Sequence, residues 1–311
     1  MRKPQKYELS LEAVEEIMAK FKLGPLHTIT IVEKGLVNPV YEINGKYILR
    51  LNIRDPHLHK LEKESKIYDI VNEADDKIPV PDIIALDTSK NILPCDYNIM
   101  NRIKGEDLDD LWPNISMEEK KRISFQLGEV LARIHSIKLK TFGHILKGQT
   151  TFDSWYELIT DMFIHFIEKH KQYKIIPEEK LKQIQETFKE KDHLLQVKCE
   201  PVLLHCDCHR ENIKVLNGRI SGILDFERSI AGHHEFDFKS ILMPSKKNKL
   251  LQEEVLRGYE SIKPLSKEFK ERVKLYIIIN CLGFLEAAHI HWEDDQDTIK
   301  KYLKIIDSQL D

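Results

Sequence analysis

After Ser10, the apolar residues Leu11, Val14, Met18 and Phe21 recur every three or four positions, which gathers them on one helix face. The serine is placed to cap the first turn of that helix. The period then changes. Thr28 to Val32 is β-branched, and Val40–Ile43 and Lys46–Leu51 flank Asn44-Gly45, a pair that tolerates positive φ at both central positions and so predicts a two-residue hairpin. Leu61, Ile67, Ile70 and Val71 in a charged run predict a helix laid on that sheet, stopped by Pro79 and Pro81. Ile83–Leu86 and Tyr97–Ile103 supply two more strands. From Met117 the helical period takes over: Ile123, Leu127, Val130, Leu131 and Ile134 share one face, and helices are expected over 154–172, 177–190, 248–260 and 267–290. No repeat, low-complexity tract or long linker interrupts them. The pattern therefore predicts a sheet-rich lobe, 1–103, joined by a short hinge to a helix-rich lobe, 104–311.

The stretch from Val202 to Glu227 breaks the helical run. Asn217-Gly218 reads as a second two-residue turn, which sets Leu216 against Arg219 and, counting outward, Asn212 against Ile223. Asp225 follows two residues later on the same face, a diagonal of roughly 7–8 Å. An amide oxygen and a carboxylate converging in this way suit Mg²⁺, which takes hard oxygen ligands from one or two side chains and the rest from water and phosphate. A third carboxylate, Asp207, lies five residues before Asn212. A metal that neutralises a transferring phosphoryl group, with a carboxylate that accepts or orients a hydroxyl proton, makes a phosphoryl-transfer layout.

His205-x-Asp207-x-x-x-x-Asn212 followed by Ile223-Leu224-Asp225-Phe226-Glu227 resembles the catalytic loop and metal-binding segment of the aminoglycoside phosphotransferase family, relatives of the protein kinases that include choline kinase. The resemblance covers most of the chain. Gly35-Leu36-Val37-Asn38-Pro39-Val40-Tyr41 is similar to the family's phosphate-covering turn, and Tyr47-Ile48-Leu49-Arg50-Leu51 to the strand bearing its phosphate-contacting cation. Lys63-Glu64 resembles the helix position that pairs with that cation, Ile99 to Glu106 the interlobe hinge, and Glu235-Phe236-Asp237 the segment that braces the catalytic loop.

The resemblance implies a two-lobed, protein-kinase-like α+β fold with a small antiparallel-sheet N-lobe and a larger, mostly helical C-lobe. It implies transfer of the γ-phosphate of ATP or GTP to a hydroxyl of a small molecule. Asp207 then serves as catalytic base, Asn212 and Asp225 hold Mg²⁺, Arg50 contacts the nucleotide phosphates and Glu64 positions Arg50. The turn from Gly35 to Asn38 covers the phosphates, Met100 and Ile103 belong to the nucleotide site, and His205 and Asp237 support the catalytic loop. Arg50 stands where many relatives have lysine, and Cys206 where the family's loop has glycine. Cationic acceptors are gripped in this family by acidic side chains of the helical lobe, a role that Glu293, Asp294, Asp295 and Asp297 could fill, with Asp153 and Glu157 as weaker counterparts. The alternative for the acidic run is a solvated helix end. An aminoglycoside-like aminated sugar is the expected acceptor; an amino alcohol, a sugar metabolite or another hydroxylated antibiotic is the runner-up. A nucleotide-binding pseudoenzyme is the rival class. Loss of the base or a metal ligand is its usual mark, and all three residues are present.

Composition narrows the field further. With 41% hydrophobic and 32% charged residues, 48 basic against 51 acidic and a net charge of −3, the chain reads as neither disordered nor a polycationic nucleic-acid binder. Five cysteines without framework spacing imply reduced thiols and a cytoplasmic setting. MRKPQKYELS contains no apolar signal-like core. The apolar run Leu275–Leu285, broken by Asn280, is expected as a core helix and not a membrane span. His205, Cys206, Cys208 and His209 point in alternating directions, and neither His57/His59 nor His289/His291 shares a helix face, so no metal is expected on them. No obligate protein partner is implied.

Overall fold

A computed structural model describes residues 7–32, 38–53, 59–146, 148–244, 251–291 and 296–310. The chain divides into two compact units, residues 1–110 with 212–227, and residues 111–211 with 228–311.

The first unit opens with α1 (Leu11–Lys20), whose Ala13 N–H donates to the Ser10 hydroxyl at 3.2 Å. An antiparallel sheet follows: β1 (Ile29–Ile31), β2 (Val40–Ile43), β3 (Tyr47–Asn52), β4 (Ile83–Asp87) and β5 (Asp96–Asn101), in the order β1-β2-β3-β5-β4. Asn44 and Gly45 adopt φ of 54° and 64°, the mirror-turn geometry that the sequence predicts. Strand alternation gives the sheet two different faces. Leu49, Leu51, Tyr97 and Ile99 pack with Val14, Ile17 and Met18 of α1. Arg50 and Asn98 point the other way, to Glu64 and Ser65 of α2 (Lys60–Ala74).

A short strand, β6 (Glu106–Asp107), and a single helical turn, α3 (Leu108–Leu111), close this first stretch. The hairpin of β10 (Ile213–Leu216) and β11 (Arg219–Ile223) later returns to pair with β6, in the order β11-β10-β6. Its turn falls at Asn217-Gly218 as expected, but the counted register fails beyond it. A bulge between Lys214 and Val215 pairs Lys214 with Gly222 and Ile213 with Ile223, so that Asn212 faces Leu224, not Ile223. The extra residue is Ser221, whose hydroxyl donates to the Lys104 carbonyl at 2.7 Å. A bulge inserts one residue opposite the partner strand and shifts everything after it by one.

The second unit is mostly helical: α4 (Met117–Ile134), α5 (Trp155–Tyr173), α6 (Glu178–Glu190), α7 (Phe238–Ile241), α8 (Gln252–Glu260), α9 (Phe269–His291) and α10 (Gln296–Leu310). Ser116 and Glu119 form a reciprocal cap at the start of α4. Four short strands, β7 (Phe142–Gly143), β8 (Thr151–Phe152), β9 (Val202–Leu204) and β12 (Ile230–Gly232), make a sheet in the order β8-β7-β12-β9, which the helical reading of this region did not anticipate. Helix α9 is apolar and long enough to cross a membrane, yet Leu275, Tyr276, Ile278, Leu282 and Leu285 are fully buried within the unit. Helix α10 also lies outside the sequence expectation, although Ile299, Tyr302, Ile305 and Ile306 recur at helical spacing and are buried.

Candidate active site

In the first unit β3 carries Arg50 toward α2, where its guanidinium pairs with the Glu64 carboxylate. Tyr68, one helical turn along α2, donates its hydroxyl proton to the other Glu64 oxygen at 2.9 Å and accepts the Asp225 N–H at 3.1 Å. Burial opposes the arginine's charge, but Glu64 and Asp225 outweigh it and hold the guanidinium pKa above its ordinary value. Burial, with the Asp225 charge added, raises the Glu64 carboxyl, while Arg50 pulls it back. Arg50 is thus a fixed cation with two carboxylates beside it. Tyr68 was not anticipated; the clue was its position four residues after Glu64.

Asp225 follows β11 with φ at 66°, in the left-handed region where a non-glycine residue is strained by roughly 1–3 kcal/mol. Its Oδ1 is buried and has no hydrogen-bond partner among the described residues. An unpaired carboxylate oxygen in such a place is costly unless a ligand completes it. The Asn212 main-chain carbonyl accepts the Leu224 N–H at 2.9 Å, which ties the residue to the segment leading into Asp225. The donors are an amide and a carboxylate, both hard, and they fit Mg²⁺ rather than a thiophilic metal.

In the second unit, the turn after β9 presents Asp207. The Asp207 N–H donates to His205 Nδ1 at 3.2 Å, and His205 is fully buried. Asp237 grips the same turn: its Oδ2 accepts the His205 N–H at 2.8 Å and its Oδ1 the Cys206 N–H at 2.6 Å. Cys206 adopts φ of 65°, which accounts for the glycine usual at this point in the family. The Cys206 carbonyl accepts from Lys239 at 3.2 Å. His135 Nε2 lies 2.9 Å from Asp237 Oδ2. Against the penalty of burial, the His135 hydrogen bond and the Lys239 charge hold the Asp237 carboxyl well below the usual carboxylate range. The Asp207 side chain is part-exposed, with His209 Nε2 at 3.7 Å and Arg228 Nε at 3.9 Å. Arg228 rests its guanidinium 5.4 Å from the centre of the Phe284 ring, which stacks on Tyr302. His135 and Arg228 were also missed: His135 lies far from the motif in sequence, whereas Arg228 directly follows its last residue, Glu227, and was the signal passed over.

The remaining expected residues are scattered. Met100 is buried in β5 opposite Ile48, and Ile103 packs against Gly222. Asn38 Oδ1 accepts the Ile53 N–H at 3.0 Å, while Gly35 lies outside the described residues. Glu293, Asp294 and Asp295 also lie outside them, and Asp297 is exposed in the first turn of α10. Glu157 accepts the Asp153 N–H at 3.1 Å, a helix-start contact.

A sheet-bearing unit with a buried arginine–glutamate pair and a helical unit with a braced aspartate turn define a kinase-like α+β fold. Solved structures share it. A gentamicin complex of APH(2″)-IIa superposes with a TM-score of 0.71 at 17% identity, covering 97% of each chain. A mutant aminoglycoside phosphotransferase APH(4)-Ia with ADP and hygromycin B gives 0.72 at 19%, covering 96% of this chain and 98% of that one. A putative fructosamine-3-kinase from Thermobifida fusca gives 0.71 at 13%, covering 96% and 99%. The profile of the phosphotransferase enzyme family, APH, matches residues 28–271, and the chain belongs to that family. In sequence it is also similar to subtelomeric hrmA-associated cluster proteins of Aspergillus fumigatus, 31% identical over 70 residues. That match spans 22% of this chain and only 14% of those proteins.

Proposed function

We infer that the chain transfers the γ-phosphoryl group of ATP or GTP to a hydroxyl of a small molecule. The observation that carries this reading is Asp225, strained at positive φ with a buried oxygen that nothing among the described residues satisfies. Asn212 and Asp225 would hold Mg²⁺, which supplies neutralisation of the phosphate charge when bound. Arg50, kept in place by Glu64, takes a phosphate oxygen through its planar fork. Asp207 orients the acceptor hydroxyl and takes its proton, and Asp237 keeps the turn rigid by holding two of its N–H groups. The five free thiols suit a cytoplasmic setting.

An aminoglycoside-like aminated sugar is the leading acceptor, supported by the gentamicin and hygromycin B bound to the structural relatives. One observation favours a second reading. Arg228 places a cation beside Asp207, which suits an uncharged or acidic sugar metabolite better than an ammonium. A nucleotide-depletion screen over aminoglycosides, amino alcohols and sugar metabolites, in ATP and in GTP, tests both. Acceptor-dependent depletion with Mg²⁺ is the expected result. Nucleotide binding without turnover on any acceptor would favour the pseudoenzyme.

A further inference from the structure

Three successive residues are held where the chain leaves β11. The Leu224 N–H donates to the Asn212 carbonyl at 2.9 Å and the Asp225 N–H to the Tyr68 hydroxyl at 3.1 Å. The Phe226 ring meets the Tyr68 ring edge-on, with centroids 5.6 Å apart and planes at 74°. One side chain of α2 thus grips both the backbone of Asp225 and the residue after it. Tyr68, Glu64 and Phe226 are fully buried. The proton directions are forced. A backbone N–H can only donate, so the tyrosine's own proton goes to Glu64 Oε1 at 2.9 Å, while Arg50 holds Oε2. A hydroxyl that donates to a carboxylate becomes a better acceptor, which strengthens its hold on the Asp225 N–H.

We propose that Tyr68 is a positioning residue for the metal: its hydroxyl keeps Asp225 in the left-handed conformation and ties that carboxylate to the Arg50–Glu64 pair. The proposal rests on the reading of Asp225 as a Mg²⁺ ligand. A non-glycine residue stays at φ of 66° only where its surroundings over-determine it. The Asp225 N–H lies before the N–Cα bond and Phe226 lies after it, so a side chain that holds both fixes the rotation between them. Without that hold, a return to negative φ would carry the carboxylate away. A neighbour that orients a metal ligand in this way is worth about 10–100-fold in metal affinity.

The spacing on α2 gives the arrangement a second consequence. Glu64 and Tyr68 are four residues apart and share one helix face, so a displacement of α2 moves the phosphate-binding cation and the metal-binding carboxylate together. The hydroxyl, and not the ring, makes this link. Phenylalanine at this position would keep the edge contact with Phe226 and leave Glu64 Oε1 and the Asp225 N–H without their shared partner.

The test reads metal binding without turnover. Full-length parent and Tyr68→Phe are saturated with an imido analogue of ATP or GTP, whichever the parent binds. They are then titrated with Mn²⁺, a paramagnetic stand-in that shares the oxygen preference of Mg²⁺, and bound metal is read by electron spin resonance. In the variant, half-saturation should rise at least about tenfold. Affinity for the analogue in EDTA, measured by calorimetry, should stay near the parent's, because Arg50 still pairs with Glu64. A merely structural tyrosine would lower the melting temperature and leave the Mn²⁺ titration unmoved, a result that overturns the proposal. Equal losses of Mn²⁺ and analogue affinity overturn it too, by placing the effect on Arg50. A parent that holds no more Mn²⁺ than the free analogue does overturns the metal reading of Asp225 and the proposal with it. If Tyr68→Phe does not fold, amide exchange in the parent decides. The Asp225 N–H should be protected in the absence of metal and nucleotide, and exchange as fast as in an unstructured peptide overturns the proposal.

Discussion

The turn that bears Asp207 is held through its backbone, with three successive residues fixed through Asp237 and His205. Replacing only the acidity of Asp207 should therefore leave the structure intact. Asp207→Asn is expected to lower kcat on the order of 10²-fold or more while nucleotide affinity, measured by calorimetry, stays near that of the parent. Asp225→Ala should act differently, raising the Mg²⁺ concentration needed for half-maximal activity, because the metal loses one of its few protein ligands. A variant that saturates at the parent's Mg²⁺ concentration would remove Asp225 from the metal site. Motif residues such as Asp207, Asn212 and Asp225 were legible because the chemistry clusters within a short stretch of sequence. Tyr68 and His135 were not, because each enters through a fold that joins positions far apart in the chain.

At the scale of elements, α4 and α8 approach so closely that each needs a glycine. A Cβ on Gly258 would lie 1.9 Å from the Phe125 carbonyl oxygen, and one on Gly128 would lie 2.1 Å from that of Val255. Neither neighbour is a flexible side-chain end. Gly258→Ala should therefore force the helices apart and cost about 1–3 kcal/mol or more, against the small gain that alanine brings to an unconstrained helix. Urea denaturation measures it, and a stabilised variant would show that the helices separate freely. Such a contact cannot be read from the sequence, where a glycine inside a helical pattern looks only like a weak point. The hairpin shows the same limit. Its turn was legible at Asn217-Gly218, whereas the bulge at Ser221 depends on a bond to the distant Lys104 carbonyl.

At the scale of the whole molecule, the buried polar network should govern stability in acid. His233 titrates at about 3 in the folded chain and near 6.5 when unfolded, so between those values the unfolded state binds more protons. Stability contributed by the neutral ring is thus fully present above pH of about 6.5 and falls as pH drops toward 3, by up to about 1.4 kcal/mol per pH unit. Asp237, whose pKa is depressed, adds a second loss below the ordinary carboxylate range. Melting temperatures of metal-free protein from pH 7 to pH 4 should fall steeply, and His233→Gln should fall less steeply from a lower start. Equal slopes would mean that His233 is not the group that titrates. The pattern of periods predicted a sheet-rich beginning and a helix-rich remainder, and both are present. It did not predict the four short strands of the second unit, whose two or three residues are too few to display a period.

The first unit is built from two separated pieces of chain, and β6 finds its partner β10 only when the stretch from 212 to 227 arrives. On the ribosome, synthesis runs at about 5–20 residues per second and domains fold as they emerge, N-terminal first. The opening sheet can therefore assemble early, but the edge offered by Glu106 and Asp107 must wait while the intervening hundred or so residues are made. An unpaired strand edge exposed for that interval is a site for misassembly. Slow codons or a stall anywhere between α4 and β9 would lengthen the exposure without altering the finished protein.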